Sequence, residues 1–409
     1  MAAINSNTLT PYAPEYWSNM LAVILKKTTV FRSFVSFRES AILSDGDVVR
    51  RPYRTQLTAG HYTKSTALEM IDLASTDESL TINKHNALWF FIDSIDLKQM
   101  KKTLRIANAY ITDAGDALAR REDAFALYEV VNAVKDVDDA DITTGGTADT
   151  NFTLTSDNVD RVFAKANQLM NESNVKADKR YAVISPAFLN ILQIAVASRQ
   201  TALGDKTTQY GSVGNYWGMD LYVSNNLTFS AIWTPANNPT TGATITIDGV
   251  VCKILAALSG TASTSPEFHL CSDTENTLSN INVAINAPRT AITEATDTGY
   301  QLPTEASLKK MDAWASTVTA TALKVFVKGG GDVTVATSEA LDPWTEETAH
   351  TMFGRKDAID MVIQKKPSAD TDKGVANGVI GMYWLVWDLF GIKTFNKGTY
   401  ELIDVLIAT

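Results

Sequence analysis

KQMKKTLRIANAYITDAGDALARREDAFALYEVVNAVKDV, residues 98–137, contains no proline and a single glycine, Gly115. Leu104, Ile111, Leu118 and Phe125 recur at intervals of seven, with Ala107, Ala114 and Tyr128 in a companion stripe. Lys, Arg, Asp and Glu occupy the other faces, so the spacing predicts one amphipathic helix. At 1.5 Å per residue it would be about 55 Å long, against about 11–12 residues for an ordinary globular helix. Roughly fifty residues of polar, strand-like sequence precede it, too few apolar residues among them for a core of their own. A spine helix behind an extended arm suits a building block that reaches over its neighbours better than a compact catalytic domain.

The rest of the 409-residue chain supports that reading. A hydrophobic content of 45% provides for a large core and two to three domains. The net charge of −10 argues against nucleic-acid binding by bulk electrostatics. The charge is uneven: residues 1–60 hold seven Lys/Arg against four Asp/Glu, and residues 235–345 hold six against eleven. A basic arm and an acidic insert would face different partners or opposite sides of a wall. The first residues, MAAINSNTLTPYAPEYW, have no basic segment followed by an apolar one, so no secretory signal is expected. The apolar run Val379 to Ile392 is broken by Asp388 and is shorter than the ~20 residues of a membrane span. Cys252 and Cys271 read as two buried thiols of a soluble intracellular product, with a disulfide as the alternative.

Along the chain, residues 12–35 predict a short amphipathic helix with Trp17, Leu21, Ile24 and Leu25 on one side. GDVVRRPYRTQL (46–57) and SLTINKHNALWFFIDSIDL (79–97) read as the two arms of a long hairpin, with Pro52 marking an edge or a bulge. Arg50, Arg51 and Arg54 crowd the first arm, and Asp72, Asp77 and Glu78 lie near the far end. An isolated two-stranded ribbon is marginal in water, so these six residues are expected to make subunit contacts. Ser156 is a candidate N-cap for a helix carrying Val159, Val162, Phe163, Ala166 and Leu169. RYAVI (180–184) reads as a buried strand ending where Ser185 or Pro186 opens a helix to Ala197, and YGSVGNYWGMDLYVSNNL (210–227) as turns leading into a strand.

The texture changes between Pro235 and Leu341. ATITIDGVVCKIL alternates in period two around Asp248-Gly249, a hairpin-closing turn. LSNINVAINAP (278–288) reads as a helix, and TVTATALKVFVKGGGDVTVAT (317–337) as a second hairpin around Gly329 to Gly331. This is a small β-rich module inserted into an α/β host, which resumes with the amphipathic FGRKDAIDMVIQKKP and two closing strands in GMYWLVWDLFGIKTFNKGTYELIDVLIAT.

Chemistry is sparse. The chain carries no Walker loop, G-x-G-x-x-G, H-E-x-x-H or G-x-S-x-G. His61, His85, His269 and His350 fall in four separate segments and read as surface or satisfied histidines. Gly211 to Gly214 lacks the lysine of a phosphate cradle, Gly329 to Asp332 lacks carboxylates at calcium-loop spacing, and Asp136, Asp138, Asp139 and Asp141 read as a solvated linker. Trp384 and Trp387 read as core. No catalytic residue, cofactor or metal site is expected.

The order of elements resembles the major capsid (coat) protein of tailed bacteriophages, whose fold also forms herpesvirus shell floors. RYAVISPAF (180–188) with YGSVGNYWGMDLYVSNNL, and the carboxyl-terminal stretch from Gly381, carry the resemblance. The insert is similar to small β-rich modules of phage structural proteins. The fold class implied is α+β: an N-terminal arm (1–45), an extended hairpin loop (46–97), a peripheral domain with the spine helix (98–180), the first part of an axial domain (181–234), an inserted domain (235–341), and a return to both domains (342–409). The resemblance implies hexamers and pentamers of this chain closing an icosahedral virion shell around double-stranded DNA. It also implies a portal, assembly in the host cytoplasm and no membrane, with any scaffolding or decoration protein a separate chain or the shell forming without one. The chain lacks a long charged N-terminal scaffolding segment and a Lys–Asn–acidic set for covalent cross-linking. A tail or adhesin component would be mostly β, which the spine helix opposes. A hydrolase would need a paired nucleophile and base.

Overall fold

The computed structural model describes residues 28–37, 48–54, 59, 61, 64, 75–99, 106–147, 150–199, 214–261, 263–327, 333–338, 344–376 and 379–408. Residues 12–27 of the expected first helix, Asp72 and the 329–332 glycine run lie outside them. After a short 3-10 turn at Phe31–Ser33, strands β1 (Val48–Arg54) and β2 (Ser75–Thr81) pair antiparallel, followed by β3 (Lys84–Asp93) and helix α1 (Ser94–Gln99). The long helix α2 spans Ile106–Tyr128 and continues as a 3-10 turn, Glu129–Asn132, into β4 (Lys135–Val137). Then come α3 (Asp139–Ile142), α4 (Val159–Glu172), β5 (Arg180–Ile184), α5 (Pro186–Ala197), β6 (Asn215–Tyr216), β7 (Met219–Val223) and β8 (Thr228–Trp233).

The spine helix therefore stops about nine residues before Val137. Val130, Val131, Val134 and Val137 are β-branched, which favours leaving the helix. The Glu129 carboxylate accepts hydrogen bonds from the backbone N and Oγ1 of Thr394, both 3.0 Å, and so pins the exit. Lys135–Val137 then adds as a parallel strand to the sheet; tertiary pairing outweighs helix periodicity here. The apolar stripe is real over the described turns, where Ala114, Leu118 and Phe125 are buried.

The expected hairpin also divides. Residues 48–54 pair with 75–81 in a register running from Val48↔Thr81 to Arg54↔Ser75, but Lys84–Asp93 pairs with a distant strand near the chain's end. Leu80 and Ile82 cause the break. They pack with Val362 and Phe395 in a small separate core, which anchors the base of the ribbon and turns the chain away from it.

The module begins with β9 (Thr244–Ile247) and β10 (Val250–Leu255), joined by Asp248 and Gly249 at φ +47° and +73°, the left-handed pair that a two-residue hairpin turn requires. Then follow β11 (Glu267–His269), α6 (Thr274–Asn286), β12 (Ile292–Ala295), β13 (Thr298–Gln301), α7 (Glu305–Met311), β14 (Trp314–Val318), β15 (Leu323–Val327) and β16 (Val335–Thr337). Six of these strands form one sheet in the order β12-β13-β11-β10-β9-β16, packed against α6 through Leu278, Ile281 and Ile285. The expected second hairpin turns at residues 319–322, ahead of the glycines, where Thr319 and Ala322 exchange hydrogen bonds. Its partner strands β14 and β15 join the host, with β15 pairing to β8.

The host closes with β17 (Trp344–Arg355), β18 (Ile359–Ala376), β19 (Val379–Thr394), α8 (Asn396–Glu401) and β20 (Leu402–Ala408). A nine-stranded sheet runs β14-β15-β8-β17-β5-β7-β6, with β20 between β17 and β4. Strand β5 explains its two cores: all five residues are buried, with Ala182 and Ile184 facing α4 and α5, and Tyr181 and Val183 facing Phe34, Phe125 and Val130. Helix α4 buries Val159, Val162, Phe163 and Ala166 as expected, with Met170 as the fully buried residue of the last turn and the expected Leu169 half-buried beside it. Asn158 rather than Ser156 precedes its first turn, with Asn158 Oδ1 accepting from the Thr155 amide at 2.7 Å. Ser185 caps α5 as expected: its Oγ accepts from the Phe188 amide at 3.1 Å, and Pro186 takes the first helical position. Strands β18 and β19 form a long ribbon to which β3 adds as a third strand.

Candidate assembly surfaces and buried charge

The hairpin residues separate into two environments. Arg50 Nη1 meets Asp77 Oδ2 at 2.9 Å across the β1–β2 pair, and both side chains are more than half exposed. Arg54 ends β1 exposed, opposite Ser75. Arg51, opposite Glu78 in the register, turns the other way. Its Nη1 donates to Asp360 Oδ2 at 2.8 Å, and its guanidinium lies 4.1 Å from the centroid of the Phe395 ring. Asp360 is buried, so this arginine is bound within its own chain and is not simply solvated, as the sequence suggests. Pro52 sits opposite Asp77 in a two-stranded ribbon that consists of edges.

A second surface lies on the three-stranded ribbon. Trp89 is 65% exposed and stacks on Tyr383 at 5.6 Å, with Phe91 on the same ring at 4.9 Å. Ile380 is 66% exposed on the neighbouring strand. Trp384 and Trp387 belong to this ribbon too and are half-buried, not core. Trp384 stacks on Phe90, and Trp387 Nε1 donates to Asp370 at 2.7 Å under the Lys365 ammonium. Large exposed aromatics on one sheet mark a candidate contact surface.

Buried charge gathers where α2 meets the ribbon. Asp123 accepts from the amides of Val30 and Phe31 and from Asn226 Nδ2, which ties the chain's first described turn to the helix. Burial outweighs those bonds and raises its carboxyl above the ordinary value. Asp388, the residue that interrupts the apolar run, accepts from the backbone N and Nδ2 of Asn86. Lys84 is lowered, first by burial. Glu122 and Asp123 read in sequence as solvated helix charges; only the packing of both helix faces reveals them. The Asp388 break in an apolar run was the one visible signal.

The histidines are dispersed. His85 is exposed, His269 Nε2 lies 3.3 Å from Glu294, and His350 is buried in a polar chain across three strands. His350 Nδ1 hydrogen-bonds with Asp404 Oδ2 at 2.6 Å, and Nε2 with the Ser230 hydroxyl at 2.8 Å. This has the order of a nucleophile, base and orienting acid, but Ser230 has no exposed surface and sits in the middle of a strand. It cross-links β8, β17 and β20. Asp138 caps α3 through the Asp141 amide, and Asp141 pairs with Lys165, so these acids serve local structure. Among the described residues no group of three His, Cys, Asp or Glu side chains is arranged to hold a metal. No described helix is long and apolar enough to cross a membrane. Cys252 and Cys271 are separate, buried thiols.

No family model matches the sequence, and no curated protein does. Solved structures do match. A structure of Mycobacterium phage Che8 matches with a TM-score of 0.55 at 15% identity, covering 98% of each chain. The capsid structure of Cyanophage P-SCSP1u matches with a TM-score of 0.54 at 13% identity, over 100% of this chain and 97% of that one. The capsid asymmetric unit of Cyanophage Pam1 matches at 0.50 and 11% identity, over 99% of both. The chain has the α+β fold found in these phage structures.

Proposed function

We propose that this chain is the major capsid protein of a tailed phage, a structural protein that assembles as hexamers and pentamers into an icosahedral shell around double-stranded DNA. The observation that carries the reading is end-to-end coverage: both chains align over nearly their full length with the P-SCSP1u and Pam1 capsid structures. A domain shared between unrelated proteins would match over part of each chain. The two ribbons support it, since each exposes contact-forming side chains: Arg50 and Asp77 on one, Trp89 and Ile380 on the other. In this reading Arg50, Arg54, Asp77 and Glu78, with Asp72, meet a neighbouring subunit, while Arg51 holds the ribbon's base. The acidic module faces outward, away from DNA, where its charge is harmless. The portal and any separate scaffolding or decoration protein are further partners, and assembly takes place in the host cytoplasm before the protein resides in the virion.

Negative-stain microscopy of the purified protein tests this. Angular shells, polyheads or flat hexameric sheets are expected as concentration rises. Tubes of tail diameter, fibres, or monomers that stay dispersed at every concentration would overturn it.

A further inference from the structure

Glu122, on α2, and Asp388, on β19, have no exposed surface. Both Glu122 oxygens and Asp388 Oδ2 are buried without a hydrogen-bond partner. Buried ionised carboxylates without partners are strongly unfavourable, and two that repel one another are more so. Their environments differ in a way that assigns the charge. Asp388 Oδ1 receives two donors from Asn86, at 3.2 and 3.0 Å, which stabilises a carboxylate. Glu122 receives none, which stabilises the acid.

The charged groups around them are few. On α2, Arg121 donates its Nε–H to Asn86 Oδ1 and lies near Asp388, and Asp123 is engaged by Val30, Phe31 and Asn226. From the first turn, Arg32 acts favourably on Glu122. From β3, Lys84 is directed to Glu129 and the Phe125 ring. None of these hydrogen-bonds to Glu122. Burial first, and then repulsion from Asp388, raises the Glu122 carboxyl to about 7.

We propose that Glu122 is held as the neutral acid in the seam where α2 packs on β19 through Leu118 and Val386, and that this seam loosens when the proton is lost. The proton resides on Glu122, whose oxygens receive no donor, and the charge on Asp388, whose Oδ1 receives two. The folded form holds this proton at pH values where an unfolded glutamate has released it. Stability therefore falls as pH rises from about 4.5 through about 7, and the loss is complete above that window. The proposal rests on the packing of one subunit and does not depend on shell formation.

Hydrogen exchange and infrared titration of the unassembled full chain test it. For wild type, protection of amides in residues 118–126 and 384–390, corrected for intrinsic rates, should fall at least tenfold between pH 5.5 and pH 8.5. Glu122→Gln should keep its protection across that range and should lack the protonated-carboxyl infrared band that wild type shows near pH 6. Asp388→Asn removes the repulsion, so the remaining band should titrate at lower pH. If Glu122→Gln fails to fold, the wild-type band and its displacement in Asp388→Asn decide the matter. A wild-type protein without that band, or a pH profile unchanged by either substitution, would overturn the proposal.

Discussion

Replacing Arg51 with alanine removes the charge-assisted bond to Asp360 and the guanidinium from the Phe395 ring. A hydrogen bond to a charged group contributes about 1.5–3 kcal/mol, and a cation over an aromatic ring about 0.5–1 at exposed sites. The Arg51 side chain is 36% exposed, so water screens part of this, and a total of about 2 kcal/mol is expected. Most of that cost arises because Asp360 stays buried with its partner gone. Arg51→Ala/Asp360→Asn should therefore recover roughly half of that loss, about 1 kcal/mol, and Asp360→Asn alone closes the cycle that gives the coupling. Arg50→Ala is the control: its partner Asp77 is exposed, and the loss should be below about 0.5 kcal/mol. Urea unfolding of the unassembled chain, followed by tryptophan fluorescence, measures wild type and the four variants. Limited proteolysis should also find the β1–β2 ribbon cut sooner in Arg51→Ala alone. Equal midpoints for Arg50→Ala and Arg51→Ala, or zero coupling with Asp360, would refute the anchoring role.

Leu118→Asp places a charge in the seam with Ala114 and Val386 and should cost several kcal/mol, read as loss of soluble folded protein; Leu118→Ala should cost about 2–4 kcal/mol by urea unfolding. Replacing 236–340 with a short Gly/Ser linker should give an aggregating host, because it strips β15 from β8 and uncovers Trp233; a shorter excision that keeps β14 and β15 should stay soluble by gel filtration. Neither cysteine should react with a thiol reagent until the protein unfolds, since burial raises both thiols and leaves them little exposed; rapid native labelling would contradict this.

Local chemistry was legible where one face or one cap decided the outcome. The apolar YAVI of β5, the Ser185-Pro186 start, the α4 stripe and the Asp248-Gly249 turn are each fixed by residues within a few positions. What escaped was decided at long range. Lys84–Asp93 carries the same β-rich signal as Ser79–Thr81, and only its pairing with β19, some three hundred residues away, separates the two. Valines 130–137 continue an apolar period, and a sheet edge outweighs it. Glu122 sits among Arg121, Asp123 and other charges that look solvated, and its burial follows from packing on several sides at once. The change of texture falls where the six-stranded sheet begins, whereas the β14–β15 hairpin inside the expected insert belongs to the host sheet, a distinction that composition does not record.

The position of β20 sets an order on biosynthesis. It lies between β17 and β4, and its alternating side chains enter both host cores: Ile403, Val405 and Ile407 on the α4 side, Leu402 on the other. Every other strand of that sheet emerges from the ribosome earlier. Until residues 402–408 follow, Lys135–Val137 has no neighbour, His350 lacks Asp404, and both faces of the sheet stay open. A nascent chain thus keeps these edges and core faces unpaired until its last described strand is made, and the host body closes only then.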